Sequence, residues 1–268
     1  MPADVLRVGL AGIGVLGPGL ADWPQAGAAL RDPTLWAPAP TVVGAPARLP
    51  ATERRRAGVG VRAAITVADE ACAMAGIDPT LPATIFTSAT GEPAICHALC
   101  EALATPDRLV SPTRFTNSVH NAAAGYWHIA VRSMQPSTSL AAFDASAAAG
   151  LLEALAQCAT RRAPVLLAAC DLPYPAPLHA LRPIADVFAF ALLLVPAASA
   201  APWQLAVTTT RDETPTRCSD GAMETLRQSV PAARALPLLQ TLARGESARI
   251  VLEAEHGFGL ALQVEARR

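Results

Sequence analysis

The chain has 268 residues, enough for one large domain or two small ones. Hydrophobic residues make up 52% and charged residues 16%, against roughly 25% charged in an average soluble domain, which excludes a disordered chain. The formal net charge of -1 argues against a nucleic-acid-binding protein with a basic surface. All 21 basic residues are Arg, so the sequence excludes lysine chemistry, whether a Schiff base or a phosphate contact.

Apolar runs and periodicity predict strands that alternate with helices along the chain. The predicted strands cover 6–16, 84–88, 138–143, 164–169, 186–195, 203–209 and 249–264. The last of these is either one bulged strand or two antiparallel strands. The predicted helices cover 53–75, 92–104, 118–134 and 146–160. This alternation is typical of an α/β protein with a mainly parallel sheet covered on both faces.

Gly12 and Gly14 fit the start of a dinucleotide-binding G-x-G-x-x-G motif, but Pro18 directly after Gly17 disfavours a phosphate loop.

The first residues lack a basic segment followed by a long apolar run, so no signal peptide is predicted. The apolar run 187–195 is shorter than the roughly 20 residues that cross a bilayer. We therefore expect a cytoplasmic protein with reduced cysteines.

Cys96, His97 and Cys100 have some character of a metal site. They lie on one Ala/Leu-rich helix without a second cluster at zinc spacing, so we expect no metal, and we expect no cofactor. Four of the six cysteines lie in predicted helices, where a free thiol acts as a small hydrophobic side chain. These four are Cys72, Cys96, Cys100 and Cys158.

Asp144 lies where a predicted strand turns into the long apolar helix that begins at Ser146. Because helix N-terminal amides stabilise negative charge, such a turn suits a nucleophile. The alternative is a helix cap, since Asp is among the preferred N-cap residues. The residue types alone favour the cap.

The segment around this turn resembles the core of the β-ketoacyl synthases, the condensing enzymes with the thiolase fold. The matching features are Ser111-Pro112, Asn121, Ala124-Gly125, Pro136-Ser137, and the small-residue turn before a helix that carries Glu153. The first strand and the segment Gly257-Phe258-Gly259 also resemble the opening strand and the closing gating loop of this family. The resemblance implies a layered αβαβα fold. A complete N-terminal half would cover 1–185, and a shortened C-terminal half of the same domain would cover 186–268.

The departures from the family pattern concern its catalytic groups. Active members have a Cys at the position that ungapped spacing from Pro136 gives to Asp144, together with two His and a Lys. This sequence has no Lys and no H-G-T-G-T-like segment. The resemblance therefore implies no catalytic residue, as in the chain length factors of aryl-polyene and polyketide systems. Its implied partners are an active β-ketoacyl synthase, in a heterodimer, and an acyl carrier protein reached through that synthase.

Three further groups of residues are assigned candidate roles. A tunnel or interface group comprises Phe115, Ser118, His120, Asn121, Tyr126 and Trp127, whose aromatic members could equally be core residues. Arg54, Arg55, Arg56 and Arg62 could dock an acidic carrier protein or simply be solvated, and Gly257, Phe258 and Gly259 form the gating loop. The alternative function is a stand-alone acyl-carrier-protein decarboxylase or acyltransferase that uses Asp144.

Overall fold

The computed structural model describes residues 5–254 and 257–267, which form eight strands and ten α-helices. The strands are Leu6–Leu16 (β1), Ala83–Thr87 (β2), Ser137–Leu140 (β3), Val165–Asp171 (β4), Phe188–Pro196 (β5), Trp203–Arg211 (β6), Ala248–Glu253 (β7) and Phe258–Ala266 (β8). The helices are Trp23–Arg31 (α1), Ala51–Arg56 (α2), Val59–Ala75 (α3), Pro93–Ala104 (α4), Pro112–Asn117 (α5), Ala122–Val131 (α6), Ser146–Arg161 (α7), Leu178–Leu181 (α8), Gly221–Ser229 (α9) and Leu236–Arg244 (α10).

The strands join one mixed sheet in the order β3-β2-β4-β5-β1-β6-β8-β7. Among the pairs that the structure describes, β2 runs parallel to β3 and β4, and the other pairs are antiparallel. The predicted α/β class is confirmed, whereas the predicted mainly parallel sheet is wrong. At the C-terminal end, the prediction of two antiparallel strands is confirmed by β7 and β8.

The centre of the sheet is built on close packing of β1 against α3. A Cβ atom on Gly12 would lie 1.9 Å from the Ala71 carbonyl oxygen, and one on Gly14 would lie 2.1 Å from that of Val67. These two glycines therefore allow the helix backbone to approach the strand. They lie inside β1 and not in a phosphate loop, so the structure supplies a packing reason for the pattern.

The predicted helix 53–75 is two helices, because α2 ends at Arg56 and α3 begins at Val59. Glu92, which precedes α4, accepts a hydrogen bond from the Val61 N–H at 2.9 Å in the first turn of α3. A Cβ atom on Gly58 would come within 2.3 Å of the Glu92 Oε1 atom. A side chain distant in sequence thus determines where α3 begins.

Helices lie on both faces of the sheet and form two apolar cores. One core contains α3 and α6, and the other contains α7, α10, α1 and the 3-10 helix Pro231–Ala235. This 3-10 helix contacts β4 and β5 and also β7, while α7 contacts β2, β4 and β8. The end of the sheet formed by β6, β8 and β7 therefore turns over a middle layer of helices. The opposite face of these strands exposes Arg249, Gln263 and Glu265.

Candidate functional site

The turn between β3 and α7 holds Asp144. β3 ends earlier than predicted, and the chain turns through Phe143, whose φ of 46° is unusual for a bulky residue. Ser146 closes the turn: its Oγ accepts from the Ala142 N–H at 2.9 Å and donates to the Phe143 carbonyl at 2.7 Å. The N-cap of α7 is Ala145, without a side-chain cap bond. The prediction that Asp144 caps the helix is therefore wrong.

The Asp144 carboxylate lies between two guanidinium groups. Its Oδ1 accepts from Arg182 at 2.6 Å, and its Oδ2 accepts from Arg234 at 3.0 Å. Arg234 also pairs with Glu253 at 3.1 Å, and the Arg182 guanidinium lies 3.7 Å from the centre of the Phe143 ring. Both carboxylate oxygens are thus engaged in ion pairs, which lower the nucleophilicity of Asp144.

An open cleft of about 480 Å³ lies beside this ion-pair network. It is lined by Asp144, Arg234, Glu253 and also by Gly257, the first residue of the candidate gating loop. Phe258 is half-exposed, with the Arg211 guanidinium 4.2 Å from its ring centre. The structure therefore brings Asp144 and the start of the candidate gating loop together at one cleft.

The tunnel or interface group does not lie at that cleft but around α5 and α6. The predicted helix 118–134 is shorter in the structure, where α6 spans Ala122–Val131. Phe115 is 65% exposed, and Asn121 and His120 are exposed, whereas Trp127 is completely buried. Of the aromatic residues in this group, Phe115 alone presents its ring at the surface of the described chain.

Tyr126 and Asn117 connect α6 to the end of α2. The buried Tyr126 hydroxyl donates to the Asn117 Oδ1 at 2.9 Å, and the Asn117 side-chain amide donates to the Arg56 carbonyl at 2.7 Å. Ser118 is half-buried, and its hydroxyl donates to the Phe115 carbonyl. These contacts explain why Tyr126 is buried, since its hydroxyl has an internal partner.

A small cavity of about 30 Å³ lies beneath His120. It is lined mainly by apolar side chains of α3, α6 and β2, and by the buried Glu92 and Cys170. Burial raises the pKa of the Glu92 carboxyl above its ordinary value, and it also raises that of the Cys170 thiol. The cavity holds at most a water molecule or one small group.

The four arginines in and near α2 differ in exposure and in how many contacts hold their side chains. Arg54 donates to the Leu49 carbonyl at 2.9 Å, and Arg62 is half-buried with a buried Nε that has no hydrogen-bond partner among the described residues. Arg55 and Arg56 are exposed, and Arg56 makes a loose pair with Glu53 at 3.8 Å. All of Arg54–Arg56 lie in the last turn of α2 and not at a helix start.

The cysteines fall into two classes. Cys72 and Cys158 are buried as predicted, and burial raises the pKa of these thiols to about 12 and about 11. Cys96 and Cys100 are exposed, so the prediction that they act as buried hydrophobic side chains is wrong. No cluster of His, Cys, Asp and Glu suited to a metal ion occurs in residues 5–254 and 257–267.

Sequence reasoning selected Asp144 but missed the side chains that surround it. Arg182 and Arg234 are 38 and 90 residues away along the chain, in segments without a motif or a clear period. Asp171 was also missed: it is buried, accepts from the Ala89 N–H at 2.7 Å, and ties the loop after β2 to the end of β4. No local signal in the sequence marks any of these three residues.

Exposed large apolar side chains are concentrated in one part of the chain. Seven of the sixteen described lie between residues 103 and 143, a segment that is much less than half of the chain. They are Leu103, Leu109, Phe115, Val119, Ile129, Met134 and Phe143. Phe143 lies against Arg182 at the Asp144 cleft, so this concentration along the chain extends over more than one surface.

Comparison with known proteins assigns the fold. The family model "Beta-ketoacyl synthase, N-terminal domain" matches residues 23–257, so the chain belongs to this family. Its fold is the mixed α/β, thiolase-like fold of the ketosynthases, as the resemblance implied. No curated protein sequence matches significantly. Within the described residues, no helix has the length and apolar character needed to span a bilayer.

Three solved structures illustrate this fold. A chain of the ketosynthase (ApeO) in complex with its chain length factor (ApeC) from Xenorhabdus doucetiae aligns with a TM-score of 0.75 and 22% identity, over 96% of this chain and 99% of that one. The ishigamide ketosynthase/chain length factor gives a TM-score of 0.72 at 14% identity, with 98% and 100% covered. A chain of a type II PKS acyl-carrier protein in complex with its ketosynthase bound to the hexaketide (AntDE:AntF) gives a TM-score of 0.73 at 11% identity. The alignment covers 97% of this chain and 99% of that one.

Proposed function

We propose that the chain is a non-catalytic chain length factor, which pairs with an active β-ketoacyl synthase and shapes the tunnel for the growing acyl chain. The pathway would be an aryl-polyene, polyketide or fatty-acid type of biosynthesis. The observation that carries the proposal is Asp144: the position that matches the family nucleophile is a carboxylate bound by Arg182 and Arg234. A thiolate is the nucleophile that thioester chemistry uses, and a paired carboxylate is a poor substitute.

The similar solved structures support this proposal. Two of them contain a ketosynthase with a chain length factor, and the ApeO–ApeC complex includes a chain that this one covers over 99% of its length. In the chain itself, the absence of Lys fits a subunit without catalytic machinery.

The unprotected edge of the sheet supports a partner on the β3 side. The β7 edge is covered at Val251, which exchanges hydrogen bonds with Thr216 at 2.9 Å in both directions. Among the described residues, the outer edge of β3 makes no such backbone pairs. A bare edge offers unpaired N–H and C=O groups to a second strand. Of the seven exposed apolar side chains between residues 103 and 143, six precede this strand in the chain and Phe143 follows it.

The alternative function is a stand-alone acyl-carrier-protein decarboxylase or acyltransferase. It requires Asp144 as base or nucleophile, yet each of its carboxylate oxygens is bound by a different guanidinium. Nothing in the cleft favours this alternative over the first proposal.

Co-expression with an active ketosynthase from the same gene neighbourhood tests the proposal. We expect the two proteins to elute together in size-exclusion chromatography. Ile129→Asp, in the exposed apolar segment, should weaken pairing by about tenfold or more, equivalent to about 1.4 kcal/mol. Leu35→Asp is the matched control, because Leu35 is equally apolar and 65% exposed but lies elsewhere in the chain.

Separate elution of two folded proteins would contradict the proposed pairing. Equal effects of Ile129→Asp and Leu35→Asp would remove the evidence for this particular surface. Intact-mass measurement after incubation of the chain alone with acyl- or malonyl-loaded carrier protein tests the alternative, which requires a covalent adduct or turnover.

A further inference from the structure

Two arginines from separate segments of the chain bind the Asp144 carboxylate. Arg182 comes from the segment between β4 and β5, and Arg234 comes from the 3-10 helix Pro231–Ala235. Their side chains are only 23% and 19% exposed, and each binds a different oxygen of the same carboxylate. Two guanidinium groups from separate segments thus converge on one carboxylate group.

The Asp144 carboxylate balances the positive charge of Arg182 and part of that of Arg234. Arg234 has a second acidic partner in Glu253, at 3.1 Å, but Arg182 has no acidic partner other than Asp144 within the described part of the chain. Without the Asp144 carboxylate, Arg182 and Arg234 would face the same space with an excess positive charge. A half-buried cation that loses its partner is costly, because water solvates it only in part.

The position of Asp144 also allows exchange with solvent. Its side chain is 35% exposed and lies between two openings, the cleft beside Gly257 and a second, smaller cavity of about 120 Å³ beside Arg182. A small anion could therefore reach the two guanidinium groups if the side chain of Asp144 were shorter. Arg binds carboxylates well because its planar N–H groups match their oxygens.

We propose that Arg182 and Arg234 form a carboxylate-binding site, which the chain fills with its own Asp144. Asp144 is then an internal ligand. It occupies the place that a carboxylate from solution would take, and so excludes such a carboxylate from the cleft. This inference goes beyond the proposed function, since it holds whether or not the chain pairs with a ketosynthase.

Chemical rescue of the Asp144→Ala variant tests the proposal. In this variant the alanine methyl group replaces the aspartate CH₂, and formate has the size of the missing carboxylate. We expect the variant to lose several degrees of melting temperature in sodium chloride. Sodium formate at equal ionic strength should restore most of that loss, while it has no such effect on the wild-type protein. Formate that acts no better than chloride overturns the proposal.

Two controls separate a specific site from a general salt effect. Asp144→Ala combined with Arg182→Gln and Arg234→Gln should lose the selective response to formate, and a response that persists overturns the proposal. Glu213→Ala removes a carboxylate that pairs with Arg249 on the exposed surface, and should show no preference for formate.

Asp144→Asn keeps the proposal testable if the alanine variant does not fold. The amide has the shape of the carboxylate but no charge, and it fills the space that formate would need. We expect this variant to lose melting temperature without any rescue by formate. A variant as stable as the wild-type protein would show that the negative charge is not required, and would overturn the proposal.

Discussion

Asp144 illustrates how neighbouring charges determine the role of a single side chain. Its residue type and its place before a helix predict a cap, which is a local role. In the structure, Ser146 satisfies the turn and leaves the carboxylate free for Arg182 and Arg234. Partners so far away along the chain have no signature in the local sequence. The sequence could therefore predict that Asp144 stands at an unusual position, but not what it binds.

Glu92 gives a prediction at the same scale, because its carboxyl is buried at the start of α3. Burial raises its pKa in the folded protein above the ordinary value of 4.5. The stabilising contribution of the protonated form is therefore complete below pH 4.5 and is lost as the pH rises through the raised pKa. In Glu92→Gln this loss is absent. We expect the stability of the variant, relative to the wild-type protein, to increase from pH 4 to pH 7 in urea unfolding.

Glu224 should show the opposite dependence on pH. Hydrogen bonds from Arg227 hold the pKa of this carboxyl at about 2, so its contribution is present above pH 4.5 and is lost as the pH falls towards 2. Glu224→Gln should therefore be less stable than the wild-type protein at neutral pH, with a difference that shrinks in acid. If the stability difference between each variant and the wild-type protein does not vary with pH, the pKa shifts assigned to Glu92 and Glu224 are wrong.

At the scale of elements, the patterns that depend on nearby residues were the most informative. The predicted helix 146–160 agrees with α7, since its apolar residues at Leu151, Leu155 and Cys158 recur at helical spacing and are buried. The helix 53–75 was wrong at 57–58, where the distant Glu92 binds the first turn of α3 and lies close to Gly58. Strand direction was wrong for a related reason: it depends on how the chain connects neighbouring strands, and not on the composition of each strand.

The packing of β1 against α3 predicts a large effect of one methyl group. In Gly14→Ala the new Cβ atom would lie 2.1 Å from the Val67 carbonyl oxygen, a backbone atom that can move only with the helix. We expect a loss of about 3 kcal/mol or more in the free energy of unfolding. Gly125→Ala is the matched control, because no heavy atom lies within 4 Å of its Cβ position.

The control should have the opposite sign. Gly125 is exposed within α6, where Ala favours the helix by about 0.5–1 kcal/mol. Urea unfolding of both variants measures the two effects. Similar stabilities for Gly14→Ala and the wild-type protein would show that α3 can move away from β1 at little cost.

At the scale of the whole molecule, the candidate residues are distributed over separate surfaces. Asp144 and Gly257 share a cleft, whereas α6, which contacts β3, and α5 carry exposed apolar side chains. The basic residues of α2 are linked to α5 through the bond from Asn117 to the Arg56 carbonyl. The sequence could group these residues by resemblance, but only the fold shows which of them are neighbours. Because α2 is bonded to α5, a test of carrier binding at α2 has to measure ketosynthase pairing as well.

Arg55 and Arg56 are the residues of α2 with which carrier binding can be tested. Both are exposed, whereas Arg54 is held by the Leu49 carbonyl, so reversal at these two positions leaves the internal bonds of Arg54 intact. If they dock an acidic carrier protein, Arg55→Glu with Arg56→Glu should weaken carrier binding by about tenfold or more. The affinity of the wild-type protein should also fall as salt is added, because exposed charges are screened.

The control for this experiment is a second pair of exposed arginines. Arg161→Glu with Arg162→Glu, at the end of α7, changes the net charge by the same amount at a site apart from α2. Calorimetry with the carrier protein should show a loss for the α2 variant alone, while size-exclusion chromatography shows ketosynthase pairing unchanged in both. Equal losses in the two variants would assign the effect to overall charge, and unchanged carrier binding in the α2 variant would show that these arginines are only solvated.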